Sequence, residues 1–484
     1  MSCGWPGGLR ARPILAALTA KTLAVTGLYT VSMEHGFSDT QLADPELAEA
    51  GRILNTCVHY GFCTNTCPTY VLTRDENESP RGRIDLIKAM LNKGGAPDPQ
   101  TVRHIDSCLS CLSCMTTCAV KVDYVHLIDL ARAHVERNYR RPLPERLLRQ
   151  FLAFVLPRPR VFAILLRLGA PLRALAALLP RPLAHLVAFI PEQVAPAAGP
   201  LSCKTHTASG QTRHRVALLA GCAQQAINAN INDATIGFLT RHGCEVVIAE
   251  GAGCCGALTL HMGLDEPARA AARRNVAAWQ RENAQAPLSA VIINASGCGT
   301  TVKDYGHLFA NEAEMAAPAR TIASLAKDIS EFASEIPWRP LPGDWGYRAA
   351  YHDPCSMRHG QEVIELPRDL LRKVGLEVVD VPEAHFCCGS AGTYNLLQPE
   401  MAEALGRRKT AHVESTQPDF LITGNIGCMT QIGRYTNLPV VHTIELLNWA
   451  TGGQRPPALA NLSPPRPRTT ARSTAEKVGE VGFW

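Results

Sequence analysis

Four cysteines fall within eleven residues in the run Cys108-x2-Cys111-x2-Cys114-x3-Cys118, and no other feature of the 484-residue chain limits its fold so strongly. Spacing this tight puts neighbouring thiols on one short loop, where several sulfurs converge on one metal centre. Of the 18 cysteines, 15 lie in tight or repeating patterns. A disulfide framework is disfavoured, because the chain is far too large to need covalent staples and residues 1–33 make a poor secretory signal. The pattern predicts a reducing, cytoplasmic compartment.

The Cys108–Cys118 spacing is that of domains holding two iron–sulfur clusters, in which three thiolates wrap one cubane and the fourth ligates the other cluster. Zinc is the competing occupant of Cys-x2-Cys pairs, but a second, similar group favours iron–sulfur. That group is Cys57-x5-Cys63-x3-Cys67-Pro68. By crossing, Cys108, Cys111, Cys114 and Cys67 form one complete 4Fe–4S site. The other site retains Cys57, Cys63 and Cys118, because Tyr60 stands where a further cysteine is expected. It holds either a 3Fe–4S cluster or a 4Fe–4S cluster with a non-cysteine ligand: Tyr60, a water or a residue from elsewhere. The remaining alternative is a trio of buried thiols with no cluster. Arg81 and Arg83 either raise the potential of a nearby cluster or face solvent on the helix that Ser79-Pro80 begins.

Residues 34–135 are expected to form this helical two-cluster domain, after a disordered extension over 1–33 with Met33 as the working start. Residues 136–210 change character. Nine Arg face one acid, Glu145, between Arg140 and Ile190, and prolines cut an apolar stretch into short amphipathic helices. This linker either docks on anionic lipid or a partner subunit, or braces the fold with its Arg in water. No run reaches about 18 uncharged apolar residues, so no transmembrane helix is expected. The formal charge of +5 gives no reason to expect nucleic acid as a partner. Residues 452–484, rich in Pro, Ser, Thr and Arg, read as a disordered tail.

From 211 to 451 the chain repeats itself, as two lobes over 211–330 and 331–451. Cys222 precedes Cys254-Cys255-Gly256 by 32 positions, and Cys355 precedes Cys387-Cys388-Gly389 by the same interval, with the copies offset by 133. A later cysteine, Cys298 or Cys428, follows in each copy. Apolar runs at 216–219, 246–248, 290–293, 378–379 and 420–422 read as buried strands alternating with helices such as 266–282 and 398–414. The fold class is therefore a helical domain followed by two tandem α/β lobes, with each key cysteine at a strand's C-terminal end. The quartets Cys222, Cys254, Cys255, Cys298 and Cys355, Cys387, Cys388, Cys428 either ligate metal or pack as small hydrophobes. Gly251-x-Gly253-x-x-Gly256 imitates a dinucleotide fingerprint, but copy two lacks its first two glycines and no ribose-binding acid follows at the right interval, so the glycines are assigned to cysteine placement. His59 and His442 read as packing or hydrogen-bonding residues rather than ligands.

These phrases together resemble the glycolate oxidase iron–sulfur subunit family. The resemblance covers about residues 45–450 and rests on Cys57-Val-His-Tyr-Gly-Phe-Cys-Thr-Asn-Thr-Cys-Pro68, Ser79-Pro-Arg-Gly-Arg-Ile84, the 108–118 group, Gly253-Cys-Cys-Gly256, Ala295-Ser-Gly-Cys298, Cys387-Cys-Gly-Ser-Ala-Gly-Thr-Tyr394 and Asn425-Ile-Gly-Cys428. It implies a two-cluster ferredoxin domain, two CCG-type domains, and a complex with flavin-bearing subunits that oxidise glycolate; related subunits serve D-lactate and glycerol-3-phosphate dehydrogenases. Tyr60, and Ala119 in place of the second motif's proline, depart from the family pattern. The related heterodisulfide reductase subunit uses a fifth cysteine three residues after the last one; Thr301 and Gln431 occupy those positions here. The expected role is electron transfer from a partner's flavin to a membrane quinone, at the inner face of the cytoplasmic membrane. The rivals are a thiol–disulfide reductase working at the CCG cysteines and a redox-sensing protein without turnover. No paired acid/base or nucleophile–base motif is visible, and nothing suggests that this chain binds the flavin or abstracts the substrate proton.

Overall fold

A computed structural model describes residues 34–178, 184, 186–190 and 203–465; the extension expected over 1–33 lies outside them. Four helices, Pro45–Thr56, Pro80–Lys93, Pro99–Asp106 and Tyr124–Asn138, carry the N-terminal domain. Pro80–Lys93 begins as its sequence dictates: the Ser79 side chain accepts from the Gly82 N–H and Pro80 occupies the first turn. Its apolar face, Ile84, Ile87, Met90 and Leu91, packs with Ile53, Leu54, Ile105, Leu127 and Ile128 into one core. Gly82 is there because of a close approach. A Cβ at this position would sit 2.1 Å from the Glu76 carbonyl oxygen, so only glycine lets the Glu76–Glu78 turn lie against the helix.

The two lobes are α/β sheets of matching topology. In lobe 1 the order is β1-β3-β2-β4-β5, from β1 (Lys204–His206), β2 (His214–Leu218), β3 (Cys244–Ile248), β4 (Ala290–Ile293) and β5 (Ala326–Asp328). In lobe 2 it is β7-β6-β8-β9, from β6 (Arg348–Tyr351), β7 (Glu377–Asp380), β8 (Phe420–Thr423) and β9 (Val440–His442). Apart from the antiparallel β1, all pairings are parallel, and β3-β2-β4-β5 corresponds strand for strand to β7-β6-β8-β9. The long helices Asp265–Gln285 and Pro399–Ser415 occupy the places read from the sequence. Gly256 and Gly389 also correspond. Both have positive φ, and a Cβ would come within 2.9 Å of the Ala268 carbonyl oxygen in one copy and 2.7 Å of the Ala402 carbonyl oxygen in the other. The glycine of each CCG is thus fixed by close packing against the following helix.

The lobes share a core. Ile231, Phe238 and Leu239 of helix Asn230–Arg241 pack with Ile444, Leu446 and Leu447 of helix Thr443–Ala450. His442 caps the latter helix by accepting from the Ile444 N–H. The tail differs from expectation over its first part: residues 457–459 form a 3-10 turn and Leu459 is fully buried in the shared core, because this short apolar segment reaches the lobe interface. Residues 466–484 lie outside the described residues.

Between the first domain and the lobes, helices Leu143–Val155 and Pro159–Gly169 are joined to a 3-10 segment, Ala170–Leu178. The arginines here divide in two. Arg141 is buried against Asp106, Glu136 and Glu145, and Arg149 reaches the Met262 carbonyl, so these two brace the helices onto the fold. Arg146, Arg158 and Arg160 are exposed.

His126 fastens the first domain to lobe 1. It bonds Asp123 at 2.6 Å through Nδ1 and Asp304 at 3.1 Å through Nε2, and it stacks on His307. Burial works against its charge, but the two carboxylates raise its pKa from 6.5 to about 10. Because the folded value is raised, its contribution is complete below the unfolded value near 6.5 and is lost as pH rises through about 10. His126→Asn should therefore cost about 1–3 kcal/mol near pH 6. The difference from wild type should vanish by pH 10, as read from denaturant midpoints across that range.

Candidate iron–sulfur centres

The cysteines of the first domain surround two cavities. Cys67, Cys108, Cys111 and Cys114 line one of about 320 Å³, together with Pro68, Arg83 and Tyr124. Cys57, Cys63 and Cys118 line the other, of about 500 Å³, and Cys114 lies in the wall between the two. Tyr60 stands at the rim of the second cavity and is 66% exposed. His59 and Gly61 on either side of it take positive φ, which turns this short loop outward.

The 108–114 loop is wound to aim its thiols. Ser110 and Leu112 both adopt positive φ, a strained choice for residues with a Cβ. Arg132 holds the loop in place by donating to the Cys108 carbonyl at 2.5 Å and to Ser110 Oγ at 2.6 Å. The Tyr124 hydroxyl donates to Cys108 Sγ at 3.8 Å.

Behind Cys67 lies a buried polar network that sequence reasoning missed. Arg83, read as either a tuning charge or a solvent-facing one, is 1% exposed. Its guanidinium reaches Glu78 Oε2 at 2.6 Å, the Glu78 carbonyl at 2.6 Å, the His104 carbonyl at 2.7 Å and Cys67 Sγ at 3.9 Å. Glu78 also accepts from Ser107 and bonds His104 Nδ1 at 2.7 Å. Burial opposes the Arg83 charge, yet Cys108, Tyr124, Cys67 and Glu78 more than offset it and keep the guanidinium protonated. Arg81, by contrast, pairs with Glu76 near the surface.

Each lobe draws its four cysteines into one chain of thiols. In lobe 1, Cys222 and Cys255 contact Cys254, and Cys255 contacts Cys298. In lobe 2, Cys355 lies 3.6 Å from Cys387, Cys387 contacts Cys388, and Cys388 contacts Cys428. The CCG turns match in detail: the Gly256 N–H donates to Cys254 Sγ and the Gly389 N–H to Cys387 Sγ, both at 3.4 Å. Seven of the eight thiols line one cavity of about 1390 Å³ between the lobes, whose walls are otherwise mostly apolar and include Leu156, Phe162 and Leu258. Leu109 and Ser110 line both this cavity and the Cys67–Cys114 one. His352, which the sequence did not single out, is buried beside Cys388 and Cys428. Burial pushes its pKa well below the usual range, so the imidazole is neutral.

The donor chemistry fits iron–sulfur clusters. Burial, followed by neighbouring thiols, pushes Cys111 and Cys114 well above the usual thiol range and Cys63 up to about 11. Thiolates so placed need a positive core among them, which a cluster's iron supplies. Two family matches agree with the geometry: a 4Fe-4S dicluster domain over residues 53–122, and a cysteine-rich domain, CCG, over 216–303 and 349–433. The chain is thus an iron–sulfur protein with a dicluster domain and paired cysteine-rich domains. It is 41% identical over 406 residues to the glycolate oxidase iron-sulfur subunit of Escherichia coli K12, a match covering 83% of this chain and 95% of that one. The probable glycolate oxidase iron-sulfur subunit of Bacillus subtilis 168 is 30% identical over 84% of this chain and 96% of its own length. Lactate utilization protein A of Bacillus velezensis is 31% identical over 48% of this chain and 99% of its own. The chain belongs to the glycolate oxidase iron–sulfur subunit family.

The position of Arg83 has a measurable consequence. Arg83→Gln should lower the midpoint potential of the cluster beside Cys67 in an EPR-monitored redox titration, and Arg83→Lys should stay near wild type. The Gln variant should also lose about 3–5 kcal/mol, because Glu78 is left buried without its partner. An unchanged potential in Arg83→Gln would reduce the residue to a structural role.

Proposed function

We propose that this chain is the electron-transfer subunit of a flavin-linked 2-hydroxy-acid dehydrogenase, with glycolate as the preferred donor and D-lactate the runner-up, delivering electrons to a membrane quinone. One observation carries the reading: the three cysteine-lined cavities are contiguous. Cys114 separates the Cys57–Cys118 cavity from the Cys67–Cys114 one, and Leu109 and Ser110 separate the Cys67–Cys114 cavity from the one between the lobes. Iron–sulfur clusters, when bound, accept and release electrons singly. The residues that would hold them are Cys67, Cys108, Cys111 and Cys114 for a 4Fe–4S cluster, and Cys57, Cys63 and Cys118 for the second. The rest of the chain sets burial, hydrogen bonding to sulfur and nearby charge, which together tune potentials. The exposed cavity at Tyr60 and Phe62 suits docking of the flavin-bearing partner.

The quinone side is supported by the bracing helices. Leu143, Leu147, Phe151 and Phe154 form an exposed stripe along helix Leu143–Val155, continued by Ile164 and Leu168. Arg146, Arg158 and Arg160 are exposed beside it. Apolar side chains flanked by cations suit an anionic bilayer, on which the chain would lie peripherally at the cytoplasmic face. No helix among the described residues is long and apolar enough to cross a membrane. From the inner side of the same helices, Leu156 and Phe162 line the cavity between the lobes.

Two experiments test this. With a glycolate-oxidising flavoprotein and a soluble quinone analogue, Cys108→Ala should abolish quinone reduction while glycolate still reduces the flavin; reduction of a disulfide by the isolated chain would favour the thiol–disulfide rival. Leu147→Asp combined with Phe151→Asp should lose about tenfold or more in binding to vesicles containing anionic phospholipid, since each buried apolar side chain is worth about 1.5–3 kcal/mol. Unchanged vesicle binding would assign that face to another partner.

A further inference from the structure

Lobe 2 carries a donor that lobe 1 lacks. His352 directly follows β6, and the equivalent residue 133 positions earlier is Leu219. The His352 backbone is fixed, its N–H donating to the Ile422 carbonyl at 2.9 Å, and the residue is 1% exposed. Both ring nitrogens are nevertheless buried without a hydrogen-bond partner. A buried imidazole left in this state forfeits the hydration of both nitrogens for nothing, unless something else binds one of them. A ring nitrogen of His352, Cys388 Sγ and Cys428 Sγ all lie within 4.8 Å of one another. Cys387 and Cys355 extend the group from Cys388. Gln431, three residues after Cys428, is committed elsewhere: it donates to the Ala402 carbonyl and accepts from Asn395. In lobe 1, Leu219 is buried and offers no donor.

We propose that His352 is a metal ligand, completing with Cys388 and Cys428 a mixed nitrogen–sulfur centre in lobe 2, so that the two lobes of the duplication hold chemically different sites. The proposal rests on the reading that the lobe 2 cysteines bind metal at all. Coordination satisfies one orphaned nitrogen, and the two thiols give up their S–H protons to solvent as the metal binds. Imidazole with thiolate suits both the iron of a cluster and a single zinc. Because an imidazole is neutral where a thiolate is charged, a cluster held this way has a higher reduction potential than an all-thiolate one. Lobe 1 offers thiols alone, and the duplication has therefore diverged at the one position that decides ligand charge.

The test uses the full chain purified anaerobically, with iron and zinc counted and pulsed EPR recorded on protein grown with ordinary or 15N-labelled histidine. A histidine nitrogen coupled to a cluster, changing with the label and lost in His352→Leu, supports the proposal with iron as the metal. Loss of one equivalent of zinc in His352→Leu supports it with zinc. His352→Leu copies lobe 1; should it fail to fold, His352→Cys supplies the same readout by keeping the metal, losing the nitrogen coupling and lowering the potential. If Cys388→Ser with Cys428→Ser removes metal and the His352 variants change neither metal content nor spectrum, the His352 assignment is overturned and the underlying reading stands. If the cysteine variants also change nothing, lobe 2 holds no metal and both fall.

Discussion

Bringing several thiolates together in a dry interior is unfavourable unless a positive core joins them, and much of this structure is organised around that constraint. Cys111 and Cys114 are buried among other sulfurs, so in the ionised form each would meet both desolvation and like charge. The fold nevertheless holds them there at the expense of backbone strain at Ser110 and Leu112, with Arg132 clamping the loop. Strain kept in place by a dedicated clamp is what a ligand-binding loop requires and a packing loop does not.

The same constraint explains the arrangement of the larger parts. The lobes face each other through a shared apolar core, which turns both cysteine chains toward one cavity. The first domain is held by His126 on lobe 1, and Leu109 and Cys111 pack with Cys387 and Tyr394 of lobe 2. The dicluster loop is thereby a wall of the cavity between the lobes. A chain of centres has to be contiguous to conduct, and here contiguity follows from which residues are shared between neighbouring cavities.

Much of this was legible in the sequence, for physical reasons. Cysteine spacing is set by the geometry of the group to be held, so the gathering of Cys67 with Cys108, Cys111 and Cys114 could be read from intervals and crossing alone. Buried parallel strands are continuous apolar runs, so β4 was found at its observed bounds. The short strands β5 and β9 were not found, since three residues carry too little periodicity. The Arg83–Glu78–His104 network was invisible because His104 lies 26 residues from Glu78 and because only burial turns the nearby Arg83 and Glu78 inward as partners. The arginines of residues 136–178 could not be sorted by composition: Arg141 and Arg149 find carboxylates from the first domain, while Arg146 does not face inward. His352 does carry a sequence signal, namely the mismatch with Leu219 when the two copies are aligned.

All of this depends on thiolates of the first domain holding two iron–sulfur clusters. Iron and acid-labile sulfide counts combined with low-temperature EPR on the anaerobically purified full chain test it most directly. The expected result is a brown protein with two spectroscopically distinct, mutually interacting centres, one of them a 4Fe–4S cluster reducible by one electron. A colourless chain free of iron, or one carrying only zinc at these cysteines, would contradict it.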